Sequence, residues 1–329
     1  MSAVTLSKNQ AAVAGHLRPV NVIRDLGAVA DLIELCFYKT MDNDGQRYLQ
    51  NMRRASRDDS FLRWATHAVE TVSMPLSGYV WEEGGHIVGN VSLVPFRHKG
   101  KRIVLVANVA VHPDYRRQGI ARVLTEKGLI HARQRGADSI WLHVRDDNPG
   151  AISLYEELGF SKVTRRTTWQ ASMEAAVPGN DYGFTVTNRA ARFWPLQRAW
   201  LDRIYPAKTT WYRTPSWNIL KPGLWQWLYR VFVELNLRQW AAVRDGQLHA
   251  VAAWLPERGS SDLLWLAFGP NTDPDAITTL LVHVRKELSY RRSLSVEIPA
   301  GMAVESFQAA GFVPHRTLIW MRADGATHS

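Results

Sequence analysis

The run Val109-Ala110-Val111-His112-Pro113-Asp114-Tyr115-Arg116-Arg117-Gln118-Gly119-Ile120-Ala121 joins an alternating apolar strand to a helix start through a short basic loop. After it, Ile120, Val123, Leu124, Leu129 and Ile130 fall mostly on one helical face. The first turn of a helix carries N–H groups without intrahelical partners and a partial positive charge. A glycine at that point lets a phosphate approach the backbone closely. The residue types and their spacing therefore describe an anion site.

A second stretch lies farther on: Asn148-Pro149-Gly150-Ala151-Ile152-Ser153-Leu154-Tyr155-Glu156-Glu157-Leu158-Gly159-Phe160. The order Arg116-x-x-Gly119-x-Ala121 after Val-Ala-Val-His-Pro resembles the pyrophosphate-binding motif of the GNAT acetyltransferase superfamily. The second stretch resembles the Asn-x-x-Ala-x-x-Leu-Tyr-x-x-x-Gly-Phe segment of the same superfamily. The resemblance covers about residues 17–173.

It implies an acyl-CoA co-substrate lying between a fourth and a fifth strand that splay apart. Backbone groups of Val109 and Val111, with Ala110 between them, would pair with the pantetheine arm. Amides of Gln118, Gly119, Ile120 and Ala121 would cradle the pyrophosphate. Arg116, Arg117 and Arg122 would add charge, although one of the loop arginines can equally face solvent. Asn148 would cap its helix and hydrogen-bond the CoA arm, or act as a cap alone. Tyr155 would be the general acid that protonates the departing CoA thiolate, against a bare packing role.

The base that would deprotonate an amine is not visible. Many relatives carry an acid one or two positions before the Val-Ala-Val run, where this chain has Ala107 and Asn108. His112 reads mainly as a turn former, and Asp42, Asp44 and Glu82 are the remaining names to test.

Composition sets bounds on these readings. A chain of 329 residues favours two domains, and 46% hydrophobic with 21% charged residues is ordinary for a globular protein. The single cysteine, Cys36, excludes an intrachain disulfide and reads as packing beside Leu32, Ile33 and Phe37. The first fifteen residues lack the apolar core of a signal peptide, and no apolar run is long enough to span a membrane. A cytoplasmic protein with no metal is expected. Net charge is +10, from 40 Lys+Arg against 30 Asp+Glu. Division after residue 175 gives 23 − 18 = +5 before it and 17 − 12 = +5 after it. Charge spread this evenly suits an anionic small ligand better than a nucleic-acid surface.

Patterning supplies the elements that must hold the two stretches. A disordered lead-in is expected over residues 1–16, then an edge strand at 17–23 and an amphipathic helix bearing Leu26, Val29, Ile33, Cys36 and Phe37. A polar segment follows, in which Asp42-Asn43-Asp44-Gly45 reads as a solvated turn and lacks the ligand spacing of a calcium loop. A three-strand meander at 79–111, the glycine-led helix, a strand at 139–144, a short helix and a strand at 160–173 complete the order. That order is the one the GNAT resemblance implies.

Residues 180–325 repeat it. Leu266-Ala267-Phe268-Gly269-Pro270 matches Val109-Ala110-Val111-His112-Pro113 at a spacing of 157, which puts Asp273 at the place of Arg116 and Ala276 at that of Gly119. At a spacing of 152, Gly311-Phe312 matches Gly159-Phe160, and Phe307 stands where Tyr155 does. Aspartates repel a pyrophosphate and phenylalanine has no proton to give.

The expected fold is therefore α/β (α+β), with two tandem GNAT-like domains, each a mixed, mostly antiparallel twisted sheet flanked by helices. Residues 17–175 would be catalytic and 180–325 degenerate. Trp194, Trp200, Trp211, Trp217, Trp225, Trp227 and Trp240 crowd the second domain's opening segment, as a substrate groove, an interface or core. The expected function is acetyl-CoA-dependent N-acetyl transfer to an amine by direct attack. A small molecule is the preferred acceptor, with a protein N-terminus or lysine, or a CoA sensor without turnover, as alternatives.

Overall fold

The computed structural model describes residues 15–41, 43–58, 76–172, 183–212, 214–223, 225, 228, 232, 235–256, 261–289 and 293–326. The expected lead-in lies outside them as far as residue 14. The chain forms two compact units.

The first unit comprises Met1–His143, Ser153–Ser161 and Arg322–Ser329. Strand β1 (His16–Pro19) is shorter than the expected 17–23 because Asn21 caps a helix there. Its Oδ1 accepts from the N–H groups of Ile23 and Arg24, which turns Val22 and Ile23 into the first turn of α1 (Val22–Phe37). The segment read as a solvated turn is instead the start of helix α2 (Asn43–Ala55). Leu49 and Met52 on α2 bury against Leu26, Val29 and Ile33 of α1, and this helical apolar spacing outweighs the polar residues between. Asp42 lies outside the described residues.

Strands β2 (Ser77–Glu83), β3 (His86–His98) and β4 (Lys101–Val111) form the expected antiparallel meander. Helix α3 (Ile120–Gln134) crosses over to β5 (Ser139–Arg145), which lies parallel to β4. Residues near the C-terminus close this unit: the Asp324 carbonyl accepts from Arg133 Nε at 3.3 Å, and Ala326 N–H donates to the Ala137 carbonyl.

Helix α4 (Pro149–Glu157) is divided between the units, residues 149–152 counting with the second. The second unit otherwise holds β6 (Ser161–Ala171), β7 (Thr185–Asn188), α5 (Trp194–Ile204), β8 (Arg238–Arg244), β9 (Gln247–Leu255), β10 (Ser261–Phe268), α6 (Pro274–Glu287), β11 (Ser293–Pro299), α7 (Val304–Ala309) and β12 (Phe312–Asp324), apart from the end residues of β6 and β12. Strand β6, counted with the first half in the sequence, pairs antiparallel with β11 here, and β11 is parallel to β10. The compact units thus depart from the division at residues 175–180. Most of the crowded tryptophans are core: Trp217 and Trp240 are buried, and Trp194 and Trp200 pack against the same cluster. Trp225 is 79% exposed, and Trp227 lies outside the described residues.

Candidate functional site

Parallel pairing of β4 with β5 runs from Ile103↔Ser139 to Val106↔Leu142, yet β4 continues five residues beyond it to Val111. The cause of the divergence is in β4 itself. Its pairing with β3 steps from Ser92↔Ala107 to Asn90↔Ala110, so β4 carries one residue more than its partner. Such a bulge bends and twists the strand that contains it. Asn108 occupies the bulge at φ +50°, a left-handed conformation that asparagine tolerates better than most residues.

At the end of β4, His112 N–H still donates to the Val88 carbonyl, and the His112 ring accepts from Asp114 N–H, capping a single turn at Pro113–Tyr115. His112 is accordingly a turn residue. The Val111 carbonyl accepts from both Cys36 Sγ at 3.2 Å and Arg116 Nε at 3.1 Å. Arg116 is thus turned back onto β4 and away from the helix start. Burial pushes the Cys36 thiol up, with the Arg116 contact working against it.

The loop then enters α3 through Gly119 at φ +83°, ψ −4°. No side chain caps this helix, its first turn holds no acid, and a Cβ on Gly119 would meet no atom within 4 Å. Val123 N–H, donating to the Gly119 carbonyl, makes the first helical bond, so the amides of Ile120, Ala121 and Arg122 precede the ladder. Arg117 and Gln118 are exposed beside them. Arg122 is engaged elsewhere, by Glu157 of α4 and, at 4.0 Å, by Glu126.

Asn148 Oδ1 accepts from Ala151 N–H at 3.1 Å and so caps α4. Tyr155, on the same helix, is 8% exposed and packs edge-on to Phe160 at 6.0 Å. Burial alone pushes its phenol up to about 12, so it keeps its proton across the neutral range. Glu82 lies in a cluster with Arg18 at 2.5 Å and Arg24 at 2.9 Å. The Arg18 hydrogen bond holds its carboxyl below the ordinary range, which makes it a poor base. The Asp44 side chain lies outside the described residues.

The second unit repeats the scaffold and closes each of these openings. Strand β10 pairs with β9 without a register step from Leu263↔Leu255 to Phe268↔Ala250, and buried Trp265 stands where Asn108 does. At the position of Val109, Leu266 N–H donates to the buried Tyr205 hydroxyl at 3.4 Å. At the position of Val111, the Phe268 carbonyl accepts from Arg203 Nη2 at 2.6 Å, and Gly269 N–H donates to Thr272 Oγ1. Trp217 and Trp265 pack around the Tyr205 ring, with the buried Arg166 guanidinium 5.1 Å from its centroid. Helix α6 begins at Asp273, whose carboxylate accepts from Asp275 N–H and pairs with Arg244 at 3.1 Å. An anion would find that helix start already taken by a carboxylate. None of the closing residues Tyr205, Arg203 and Thr272 was singled out from sequence, since each acts from outside the repeated motif.

Residues 38–160 match the family model described as Acetyltransferase (GNAT) family. Over 62 residues the chain is 47% identical to the alanine N-acetyltransferase of ribosomal protein bS18 from Escherichia coli K12, covering 19% of this chain and 42% of that protein. Over 56 residues it is 46% identical to a mycothiol acetyltransferase of Thermobispora bispora, covering 17% of this chain and 19% of that one. The chain therefore spans less than half the length of either curated relative. A solved tandem GNAT protein from the clavulanic acid biosynthesis pathway is similar in fold over 96% of this chain and all of its own, with a TM-score of 0.52 at 17% identity. The family match thus spans residues 38–160, and the chain as a whole shares its two-domain fold with the tandem GNAT structure.

Proposed function

We propose that the chain is an acetyl-CoA-dependent N-acetyltransferase whose acyl-CoA site lies in the first unit alone, with a small-molecule amine as the preferred acceptor. One observation carries the reading. The same strand–loop–helix scaffold occurs twice, and only the first copy combines a bulged strand end with an uncapped, glycine-led helix start. The pyrophosphate would rest on the amides around Gly119, supported by Arg117. The pantetheine arm would run back along Val111 and Val109, drawing Arg116 from the Val111 carbonyl toward the phosphates.

The amine nitrogen then attacks the thioester carbon, forming the C–N bond. The tetrahedral intermediate collapses with rupture of the C–S bond, and Tyr155 gives its proton to the sulfur. The proton on nitrogen leaves to water, and solvent restores the phenol. A thiolate expelled into surroundings as poorly solvated as Tyr155 has its own proton affinity raised, which favours the transfer. Similarity to the mycothiol acetyltransferase supports a small-molecule acceptor, and similarity to the ribosomal-protein enzyme supports a peptide N-terminus as the second reading.

The test is thiol release from acetyl-CoA across a panel of small amines and peptides. Amine-dependent release is expected; tight CoA binding without release on any amine would establish a sensor instead. The pH profile adds a sign. With Asn108 where relatives carry an acid, kcat/KM should rise tenfold per pH unit below the pKa of the substrate's own amine. It should then stay level to about pH 10, because Tyr155 loses its proton only near 12. A decline between pH 7 and 10 would rule out Tyr155 as the acid.

A further inference from the structure

The bulge in β4 is tied down by a small set of polar side chains that none of the steps above employs. Asn90 Nδ2 donates to the Asn108 carbonyl at 2.9 Å and to Ser92 Oγ at 3.3 Å. Asn108 Nδ2 donates to the same Ser92 Oγ at 3.3 Å and to the Tyr48 hydroxyl at 3.0 Å. Asn90 and Ser92 are almost wholly buried, while Tyr48 comes from α2, an element outside the sheet. A left-handed non-glycine residue costs roughly 1–2 kcal/mol, so the conformation persists only where neighbours hold it. Here both amide hydrogens and the backbone carbonyl of Asn108 are engaged in holding it.

The place matters as much as the bonds. The bulge begins one residue past Val106↔Leu142, where the pairing of β4 with β5 ends. An arm anchored at Gly119 and laid back along Val111 and Val109 ends beside it. On the acyl-CoA reading, its reacting carbonyl would lie near the backbone of residues 108–109. At the matching position of the second unit, Trp265 stands in an unbroken β10–β9 ladder.

We propose that Asn108 and Tyr48 are a positioning pair for acyl transfer, Tyr48 fixing the Asn108 amide and Asn108 fixing the backbone against which the thioester is aligned. The proposal rests on the acyl-CoA reading above.

The full-length chain is assayed by thiol release with the best amine of the panel, and CoA affinity is measured by calorimetry. Asn108→Ala should lower kcat by roughly 10²-fold, the cost of misaligned reactants, with CoA affinity and the KM for acetyl-CoA held within about threefold. Tyr48→Phe should lower kcat about tenfold through one lost hydrogen bond. The double variant should be no slower than Asn108→Ala, because both changes remove the same contact. Tyr48→Phe deletes a single oxygen and carries the test if Asn108→Ala folds poorly. Wild-type kcat in either variant, or losses of kcat and CoA affinity in step, would overturn the pair and leave the acetyltransferase reading standing. An absence of wild-type turnover on every amine would overturn both.

Discussion

Glutamate in place of Gly119 should abolish acyl-CoA binding while leaving the fold intact. Gly119 is exposed and a Cβ there meets no atom within 4 Å, so the larger side chain clashes with nothing. Two penalties remain. The backbone at φ +83° lies in the left-handed region, which costs a residue with a side chain about 1–2 kcal/mol. The new carboxylate would also sit among the first-turn amides of α3 and repel a phosphate by about 1–4 kcal/mol at 4 Å separation. Together these predict an affinity loss on the order of 10²–10⁴-fold. Gly119→Ala isolates the first penalty and should lose roughly tenfold. Calorimetry with CoA reads both, and an unchanged far-ultraviolet spectrum shows that the helix survives. Full binding by Gly119→Glu would mean that the phosphates rest on another loop.

The second large effect concerns Tyr155. Phenylalanine there retains the edge-on contact with Phe160 and the buried ring, and removes only the hydroxyl. The expected result is a fall in kcat of roughly 10²–10⁴-fold, the usual worth of a positioned proton donor, with CoA affinity unchanged. The loss should shrink for an acyl donor whose leaving group is a weaker base than the CoA thiolate, since such a group departs without a proton. Equal rates for wild type and Tyr155→Phe with acetyl-CoA would leave Tyr155 a packing residue.

Much of this site could be read from the chain because it is built from local backbone geometry. A glycine at a helix entry, arginines before it and an apolar strand leading in are consecutive residues, and their relation survives whatever surrounds them. The difference between the two copies was legible for the same reason: Asp273 stands in the place of Arg116 and caps its own helix. What escaped the sequence depends on contacts between distant residues. Residues 42–45 look like a solvated turn until Leu49 and Met52 meet α1. The bulge at Asn108 has no local mark, because it is a mismatch of length between two strands. Tyr205 and Arg203 occupy the backbone groups of β10 from sixty or so residues away, and no motif announces them. Strand β6 carries a pattern that suits either unit, and its pairing with β11 is a choice that alternation alone leaves open.

The central claim is that acyl-CoA has one home in this chain, the first copy of a twice-used scaffold. Titration calorimetry of the full chain with CoA measures it most directly. One molecule bound per chain is expected, with all binding lost in Gly119→Glu and the stoichiometry unchanged in Tyr205→Phe. Two molecules per chain, or one that persists in Gly119→Glu, would contradict it.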